Sequence, residues 1–318
     1  MLSKARLAVR QSLQKLEPGD RIVVAVSGGA DSLLLAHCIN LESEELALQI
    51  HVVIINHQLQ VDASDIALKT ADVVRSLGMT EITIIPVEVV KKDGLEADAR
   101  RARYEALQGY ANELGVTAIF LGHNQDDLAE SVLLGLTQGS GTKSLAGMAG
   151  VDGLYVRPFL GLSREEIENA CEEASIKYWS DPHNDDDRFT RVKIRKKILP
   201  LMESEIGPGI KEALARSARI FRDDSEALDI LTDEIYSTIS DPTSIDVSLL
   251  EKLPSALRKR VIARALASLG ATRVTFEQIG WVDALISHWH GQSAVALPAG
   301  ITARRESGRL ALSRQQRE

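Results

Sequence analysis

The chain has 318 residues, a formal net charge of -8 and 44% hydrophobic residues, so it is long enough for two domains with sizeable cores. Its two cysteines exclude a disulfide framework, a four-cysteine zinc site and a cysteine-ligated iron–sulfur cluster. No apolar run approaches the roughly 18 residues of a membrane span, and the charged amino terminus does not resemble a secretory signal. We therefore expect a cytoplasmic protein with no membrane association.

The first half of the chain alternates short apolar runs with helical patterns. Continuous β-branched runs predict strands buried on both faces at residues 21–27, 49–56, 81–89, 117–122 and 154–159. Helix-period apolar positions predict helices at residues 31–40, 62–77, 95–114 and 126–136. This order predicts a doubly wound, mostly parallel α/β sheet of the Rossmann-like kind, in which ligands bind at the carboxyl ends of the strands.

The second half is mainly helical. Ser163 and Glu166 form a capping-box pattern that begins a helix at 163–175, and the polar residues 179–188 predict a loop. Periodic patterns predict further helices and then a strand-like tail, at residues 210–221, 225–237, 247–269, 275–288 and 293–313. We expect a domain boundary between residues 188 and 210, and assign 1–200 to the α/β domain and 201–318 to a helical C-terminal domain.

Charge is distributed unevenly along the chain. Residues 1–187 carry a net charge of -13, whereas residues 188–222 hold 10 basic and 3 acidic side chains, net +7. Residues 258–318 are also basic, net +6. Basic segments on an acidic body favour selective binding of a polyanion such as a nucleic acid. The alternative is that each basic segment is a solvated helix face.

A glycine turn joins the first predicted strand to the first predicted helix. Its residues are Ser27, Gly28, Gly29, Ala30, Asp31 and Ser32. The N–H groups that begin the helix and the two hydroxyls can donate to a phosphate, and the glycines let it approach closely. The turn lacks both the lysine of a Walker A loop and the spacing of a dinucleotide fingerprint. It is therefore a candidate phosphate loop of another class.

Asp31 is the informative residue of this loop. A carboxylate beside phosphates is repulsive unless a cation lies between them, so phosphate binding here implies Mg²⁺ with Asp31 as a ligand. The alternative is that Asp31 only complements the helix dipole.

Two further segments carry candidate site residues. Arg100 and Arg103 are three residues apart and share a helix face that suits a phosphate, or alternatively surface ion pairs with Glu96. His123 follows a predicted strand, and Asp126 and Asp127 come three and four residues later in the chain. All three are therefore expected to face the same cleft as the glycine loop.

The motifs resemble those of a known superfamily. Residues 26–32 resemble the S-G-G-x-D-S motif of the N-type ATP pyrophosphatases, the PP-loop superfamily. Three other segments are similar to motifs of one family within it, the tRNA(Ile)-lysidine synthetases: Glu96–Tyr104 to E-x-x-A-R-x-x-R-Y, Leu121–Asp127 to G-H-x-x-D-D, and Arg191–Arg195 to R-N-x-x-R. The sequence departs from the family pattern at Gln60, Val192 and Lys196, where the family has Arg, Asn and His.

This resemblance implies a ligase that uses ATP and Mg²⁺ to join free L-lysine to C2 of the wobble cytidine of a tRNA(Ile) with a CAU anticodon. The base is first adenylated, and AMP and pyrophosphate are released. The catalytic candidates are Asp31, Asp127, His123, Arg100 and Arg103, and Asp126 is expected to assist Asp127 in deprotonating the lysine amine. The glycine loop binds ATP, Asp31 is the metal ligand, and the RNA-binding candidates are Arg191, Lys193 and Arg195.

Three other functions remain open at the level of the sequence. A tRNA thiolase of the same superfamily would need paired cysteines, and a small-molecule amide ligase would leave the +7 segment without a purpose. A non-catalytic nucleotide sensor would not need Asp31 or the Asp126–Asp127 pair. The sequence leaves the oligomeric state open, with a dimer as one alternative.

Overall fold

The computed structural model describes the chain except for residues 59–61, 91, 93, 140, 180–188, 272–273 and 315–318. Gln60 and almost all of the predicted 179–188 loop lie outside the described residues. Contacts divide the chain into two compact units, Met1–Phe221 and Arg222–Glu318. No helix in the described part of the chain is both long enough and apolar enough to cross a lipid bilayer.

The first unit is built on a six-stranded sheet with the order β3-β2-β1-β4-β6-β5. Its strands are β1 (Arg21–Ala25), β2 (Gln49–Asn56), β3 (Ile82–Pro86), β4 (Ala118–Leu121), β5 (Val151–Asp152) and β6 (Tyr155–Val156). All neighbours pair in parallel except β5 and β6, which form an antiparallel edge. The predicted mostly parallel sheet is confirmed. The last predicted strand is shorter than expected because a 3₁₀ turn begins at Pro158.

Helices cover both faces of this sheet. They are α1 (Leu2–Leu13), α2 (Ala30–Glu42), α3 (Ala63–Ser76), α4 (Leu95–Leu114), α5 (Gln125–Thr137), α6 (Thr142–Leu145), α7 (Arg164–Glu173), α8 (Thr190–Lys193) and α9 (Leu199–Glu205). A π-helical segment, Ile194–Ile198, joins α8 to α9. Helix α1 was not predicted from the sequence.

Alternating side chains of β1 supply two cores. Ile22 and Val24 lie in the core shared with α1, α2 and α7, whereas Val23 lies in the core shared with α4. All three side chains are fully buried. The continuous apolar run of β1 is therefore explained by burial on both faces, as the sequence predicted.

The second unit has a small antiparallel sheet and its own core. Helix α10 (Ile210–Ser237) contains the division between the units. The later elements are β7 (Ser244–Asp246), α11 (Val247–Glu251), α12 (Ser255–Ser268), α13 (Phe276–Ser287), β8 (Val295–Leu297), β9 (Ile301–Glu306) and β10 (Arg309–Arg314). The sheet order is β7-β10-β9-β8. Its core includes Ile262, Leu266, Leu285 and Leu310.

Two helix boundaries differ from the prediction. The predicted helices 210–221 and 225–237 are one helix, because the polar stretch between them contains neither proline nor glycine. The predicted helix 247–269 is two helices, α11 and α12, separated at Pro254. Proline lacks an N–H and clashes with the preceding turn, so the chain stops and restarts there. Strand β7, which precedes α11, was not predicted.

Candidate active site

The glycine loop lies between the carboxyl end of β1 and the first turn of α2. Gly28 adopts φ +91°, and a Cβ there would lie 2.6 Å from Oγ1 of Thr70, so the position requires glycine on both counts. The Ser27 N–H donates to Oγ of Ser32 (3.1 Å), and the Ser32 hydroxyl donates to the Gly29 carbonyl (3.1 Å). No side chain caps α2, which leaves its first N–H groups available to an anion.

The end of β4 approaches the start of α2 closely. A Cβ on Gly122 would lie 2.9 Å from the Asp31 carbonyl carbon, so only glycine allows these backbones to meet. Two residues later the amide nitrogen of Asn124 donates to Asp31 Oδ1 (2.7 Å). Asn124 is fully buried and also caps α5 in a capping box with Asp127, with both hydrogen bonds at 3.0 Å. One amide side chain thus connects Asp31 to the helix that carries Asp127.

The carboxylate of Asp127 is close enough to affect the ionisation of Asp31. Burial, and then the negative charge of Asp127, raise the pKa of Asp31 from 3.8 to about 6, although Arg164, Asn124 and Arg195 oppose the rise. Two carboxylates that are linked through Asn124 favour a shared cation.

Asp126 does not face this site. Its Oδ1 accepts the backbone N–H of Arg164 (3.1 Å) and its Oδ2 pairs with Lys211 Nζ (2.6 Å). The Asp126 side chain is 5% exposed and holds the starts of α7 and α10 against α5. The expectation that Asp126 assists Asp127 is therefore corrected, because adjacent residues on a helix point about 100° apart.

Glu130 is a buried acidic residue that the sequence interpretation missed. It is 0% exposed and forms a two-pronged pair with Arg195, at 2.6 Å from Nε and 3.2 Å from Nη2. Arg195 Nη2 also lies 3.4 Å from Asp127 Oδ1. The guanidinium of Arg195 is therefore committed to two carboxylates of α5. Its proximity to Asp127 could be found only in three dimensions, because 68 residues separate the two positions.

His123 lies just before Asn124 in a strongly cationic environment. Burial, and then Arg103, Arg157, Arg100 and Arg191, lower the pKa of His123 to about 2. The imidazole is therefore neutral at physiological pH. Its Nδ1 is buried without a hydrogen-bond partner. His123 can donate or accept a hydrogen bond to a ligand, but it cannot hold an extra proton.

Arg100 and Arg103 both lie against the ring of Tyr104. Their Cζ atoms are 4.8 Å and 5.3 Å from the ring centroid. Arg101, on another face of α4, pairs with Asp98. Glu96, the sequence-based alternative partner for the two arginines, instead lies 3.3 Å from Arg191. The described contacts thus place Arg100 and Arg103 together and leave Arg101 apart.

The basic segment begins with α8. Arg191 contacts Glu96 and the Ser131 hydroxyl (3.3 Å), and its side chain is 27% exposed. Lys193 is exposed, whereas Val192 is buried at the position where the family has Asn. Of the three RNA-binding candidates, Lys193 therefore presents its charge most openly to solvent.

No group of three or more His, Cys, Asp or Glu side chains suited to a metal ion occurs among the residues that the structure describes. Asp31 and Asp127 nevertheless fit a Mg²⁺ ion. Mg²⁺ in phosphate-transfer sites is bound by one or two carboxylates, waters and the substrate phosphates, so a complete protein cage is not needed. Burial, and then the charge of Asp127, raise the pKa of Asp31, so a cation bound there would stabilise its charged form.

Two known domain families match this chain. The PP-loop domain family matches residues 1–202, and the TilS substrate binding domain family matches residues 245–311. A solved structure of the U34-tRNA thiolase NcsA from Methanococcus maripaludis has a TM-score of 0.56 at 19% identity, over 69% of this chain and 78% of that chain. That likeness supports the fold alone. With its glycine loop at the end of β1, the chain is a PP-loop enzyme that uses ATP.

Full-length relatives identify the family. The tRNA(Ile)-lysidine synthase of Thermobifida fusca (strain YX) is 40% identical over 97% of this chain and 96% of its own length. That of Streptomyces coelicolor is 42% identical over 92% of this chain and 84% of its own length. The chain belongs to the tRNA(Ile)-lysidine synthase family of ATP-dependent ligases. The predicted fold and family are confirmed, and the thiolase and amide-ligase alternatives are not favoured.

Proposed function

We propose that this chain joins the side-chain amine of free L-lysine to C2 of the wobble cytidine in a tRNA(Ile) with a CAU anticodon, consuming ATP and releasing AMP and pyrophosphate. The names of the full-length relatives support the substrate. The observation that carries the chemistry is the Asn124 bridge, which links the phosphate loop at Asp31 to the α5 turn at Asp127.

In the first step, the cytidine O2 attacks the α-phosphate of ATP and pyrophosphate leaves. The pyrophosphate is held by the free N–H groups of α2 and the hydroxyls of Ser27 and Ser32. Asp31 and Asp127 hold Mg²⁺, which when bound neutralises the phosphate charge that would otherwise repel both carboxylates. Arg100 and Arg103 balance the negative charge that develops on the α-phosphate.

In the second step, the lysine amine attacks C2 and AMP leaves. An amine with an ordinary pKa near 10.4 must lose a proton, at a cost of about 4.6 kcal/mol at pH 7. Asp127 is the acceptor of that proton, since Asp126 is committed to Lys211 and the pKa of His123, lowered to about 2, makes the imidazole too weak a base to take it up. Arg195, which pairs with Glu130, positions Asp127 through its contact with Asp127 Oδ1.

RNA is bound by the basic segment and by the second unit. Lys193 and Arg191 contact phosphates, and Arg195 acts mainly through its pairs with Asp127 and Glu130. We propose residues 1–200 as the ATP-using domain and residues 201–318 as the tRNA-contacting one. Phe276 in the second unit is 72% exposed and has Lys259 Nζ 4.9 Å from its ring centroid, an arrangement that suits nucleic acid.

One assay tests the function. The protein is incubated with ATP, Mg²⁺, radiolabelled lysine and a CAU-anticodon tRNA(Ile) transcript, and label in the RNA is counted. We expect incorporation that requires ATP and is lost when the wobble cytidine is replaced. Pyrophosphate release without incorporation would contradict the proposed substrate while leaving an adenylating enzyme.

A further inference from the structure

Three guanidinium groups lie close to the phenol rings of Tyr104 and Tyr155. Arg100 Nη2 donates to the Tyr104 hydroxyl oxygen at 3.2 Å. The Cζ of Arg157 lies 5.9 Å from the ring centroid of Tyr155, and the Tyr155 ring packs edge-to-face against the Tyr104 ring with centroids 5.0 Å apart. Arg103 lies over the ring of Tyr104. In the described part of the chain, no ion pair joins Arg100, Arg103 or Arg157 to a carboxylate. Among the residues that the structure describes, the cluster therefore has no carboxylate counter-ion.

Burial makes this charge unfavourable in the free protein. Arg157 is 5% exposed, and the Nε atoms of Arg103 and Arg157 are buried with no hydrogen-bond partner. Guanidinium groups do not lose their proton at physiological pH, so the cluster cannot neutralise itself. An uncompensated buried charge is strongly destabilising unless an opposite charge reaches it. An anionic ligand would supply that opposite charge.

The Tyr104 hydroxyl adds a directed donor to this cluster. Its oxygen accepts a hydrogen bond from Arg100, and a guanidinium has no acceptor for its proton. Within the described part of the chain, no hydrogen bond uses that proton. A hydroxyl that is surrounded by cations and still has a proton to donate suits an oxyanion.

We propose that Arg100, Arg103, Arg157 and the Tyr104 hydroxyl form one binding site for a phosphate oxyanion, in which Tyr104 donates a hydrogen bond to a non-bridging oxygen. The site rests on the proposed function, which supplies two phosphates of this chemistry, the α-phosphate of ATP and a phosphodiester of the RNA. Tyr104 and Arg157 are new binding residues for that function. The same experiment decides which phosphate they hold.

The test is Tyr104→Phe in the full-length protein, which removes the hydroxyl and keeps the ring under Arg100 and Arg103. Tyr110→Phe is the matched control, because its hydroxyl is paired with Thr83 (3.0 Å). Binding of non-cleavable α,β-methylene-ATP and of the tRNA transcript is measured separately for each protein. We expect Tyr104→Phe to lower the affinity for one of the two ligands about 10- to 100-fold, as for the loss of a hydrogen bond to a charged group. Tyr110→Phe should leave both affinities unchanged.

Each result has a definite meaning. Weaker nucleotide binding supports the site with the α-phosphate as its ligand, and weaker RNA binding supports it with a phosphodiester. Wild-type affinity for both ligands overturns the proposal. Arg157→Lys keeps the positive charge and loses the planar guanidinium group. It should lower the affinity for the same ligand as Tyr104→Phe does. If the wild-type protein attaches no lysine to RNA, the proposed function fails, while the two binding measurements still test the site.

Discussion

Asp31 is a residue at which stability and activity oppose each other. Its pKa is raised to about 6 in the folded protein, from 3.8. As the pH rises from about 4 to 6, the unfolded chain therefore loses its proton first, and the free energy of unfolding falls by about 3 kcal/mol. The stabilising contribution of the protonated form is present below pH 4 and is lost above pH 6.

Asp31→Asn should remove this penalty and abolish turnover. We expect its thermal midpoint at pH 7 to lie above that of the wild type, and the difference to shrink towards pH 4, as measured by unfolding at both pH values. Added Mg²⁺ should raise the wild-type midpoint and leave that of Asp31→Asn unchanged. Equal pH dependence in the two proteins would contradict the raised pKa, and full activity of the variant would remove Asp31 from the mechanism.

Asp126 and Asp127 are adjacent and are predicted to have separate roles. Asp127→Asn should lower kcat by 100-fold or more, on the order expected for a lost catalytic base. Asp126→Asn breaks the pair with Lys211 and should lower the thermal midpoint while kcat changes little. Single-turnover rates and melting curves of both variants separate the roles. A large loss of kcat in a well-folded Asp126→Asn protein would show that the pair acts together.

At the scale of elements, the β1–α2 turn depends on Gly28. Gly28→Ala should destabilise the protein by about 1–3 kcal/mol, since its φ is +91° and the added Cβ meets Thr70 Oγ1 at 2.6 Å. Gly29→Ala is the matched control, because the nearest atom to its Cβ is Ser27 Oγ at 3.9 Å. Urea unfolding of both variants, and of Gly28→Ala combined with Thr70→Ala, checks this. The double variant should recover the part of the lost stability that is due to the contact with Thr70. A Gly28→Ala protein of wild-type stability would contradict the requirement for glycine at this position.

The α8–α9 segment is predicted to contain two kinds of basic residue. Lys193→Ala should weaken tRNA binding and reduce the magnitude of the salt-dependence slope by about 1, because an exposed lysine contributes through a phosphate. Arg195→Ala should destabilise the protein by about 3 kcal/mol, since it leaves the buried Glu130 with only the 4.0 Å contact to Arg191. Filter binding over a range of salt, with urea unfolding, measures both effects. An Arg195→Ala protein of wild-type stability with a flatter salt slope would restore Arg195 as a direct RNA contact.

At the scale of the whole molecule, each unit has a core of its own. In the second unit, Arg258 pairs with Asp283 (2.6 Å) with only 11% and 10% of their side chains exposed. Asp283→Ala should therefore destabilise that unit by about 3–5 kcal/mol and leave ATP binding intact. Asp233→Ala, which removes a pair exposed by 45% and 58%, should change stability by less than about 1 kcal/mol. Calorimetry with and without nucleotide checks both, and weaker ATP binding in Asp283→Ala would argue against independent units.

Local patterns in the sequence predicted most of the fold. The strand 49–56 and the helix 95–114 match β2 and α4 in both bounds, because burial on two faces and helix periodicity are properties of consecutive residues. Elements whose formation depends on distant partners were missed. Strand β7 is three residues long and exists through its pairing with β10, and α1 is placed by its packing on α2 and α7.

The sequence by itself determined the alternation of strands and helices in the first sheet, the phosphate loop and the family, since these rest on residue types at short, fixed spacings. Tertiary structure alone decided which side chains share the site. Folding pairs Asp126 with Lys211 and not with the site of Asp127, and it pairs Glu130 with Arg195 across 65 positions. It also places Arg157 near enough to Tyr104 to lower the pKa of its hydroxyl. The physical reason is that the ionisation and hydrogen bonding of a buried group depend on its neighbours in space, and folding brings those neighbours from distant parts of the chain.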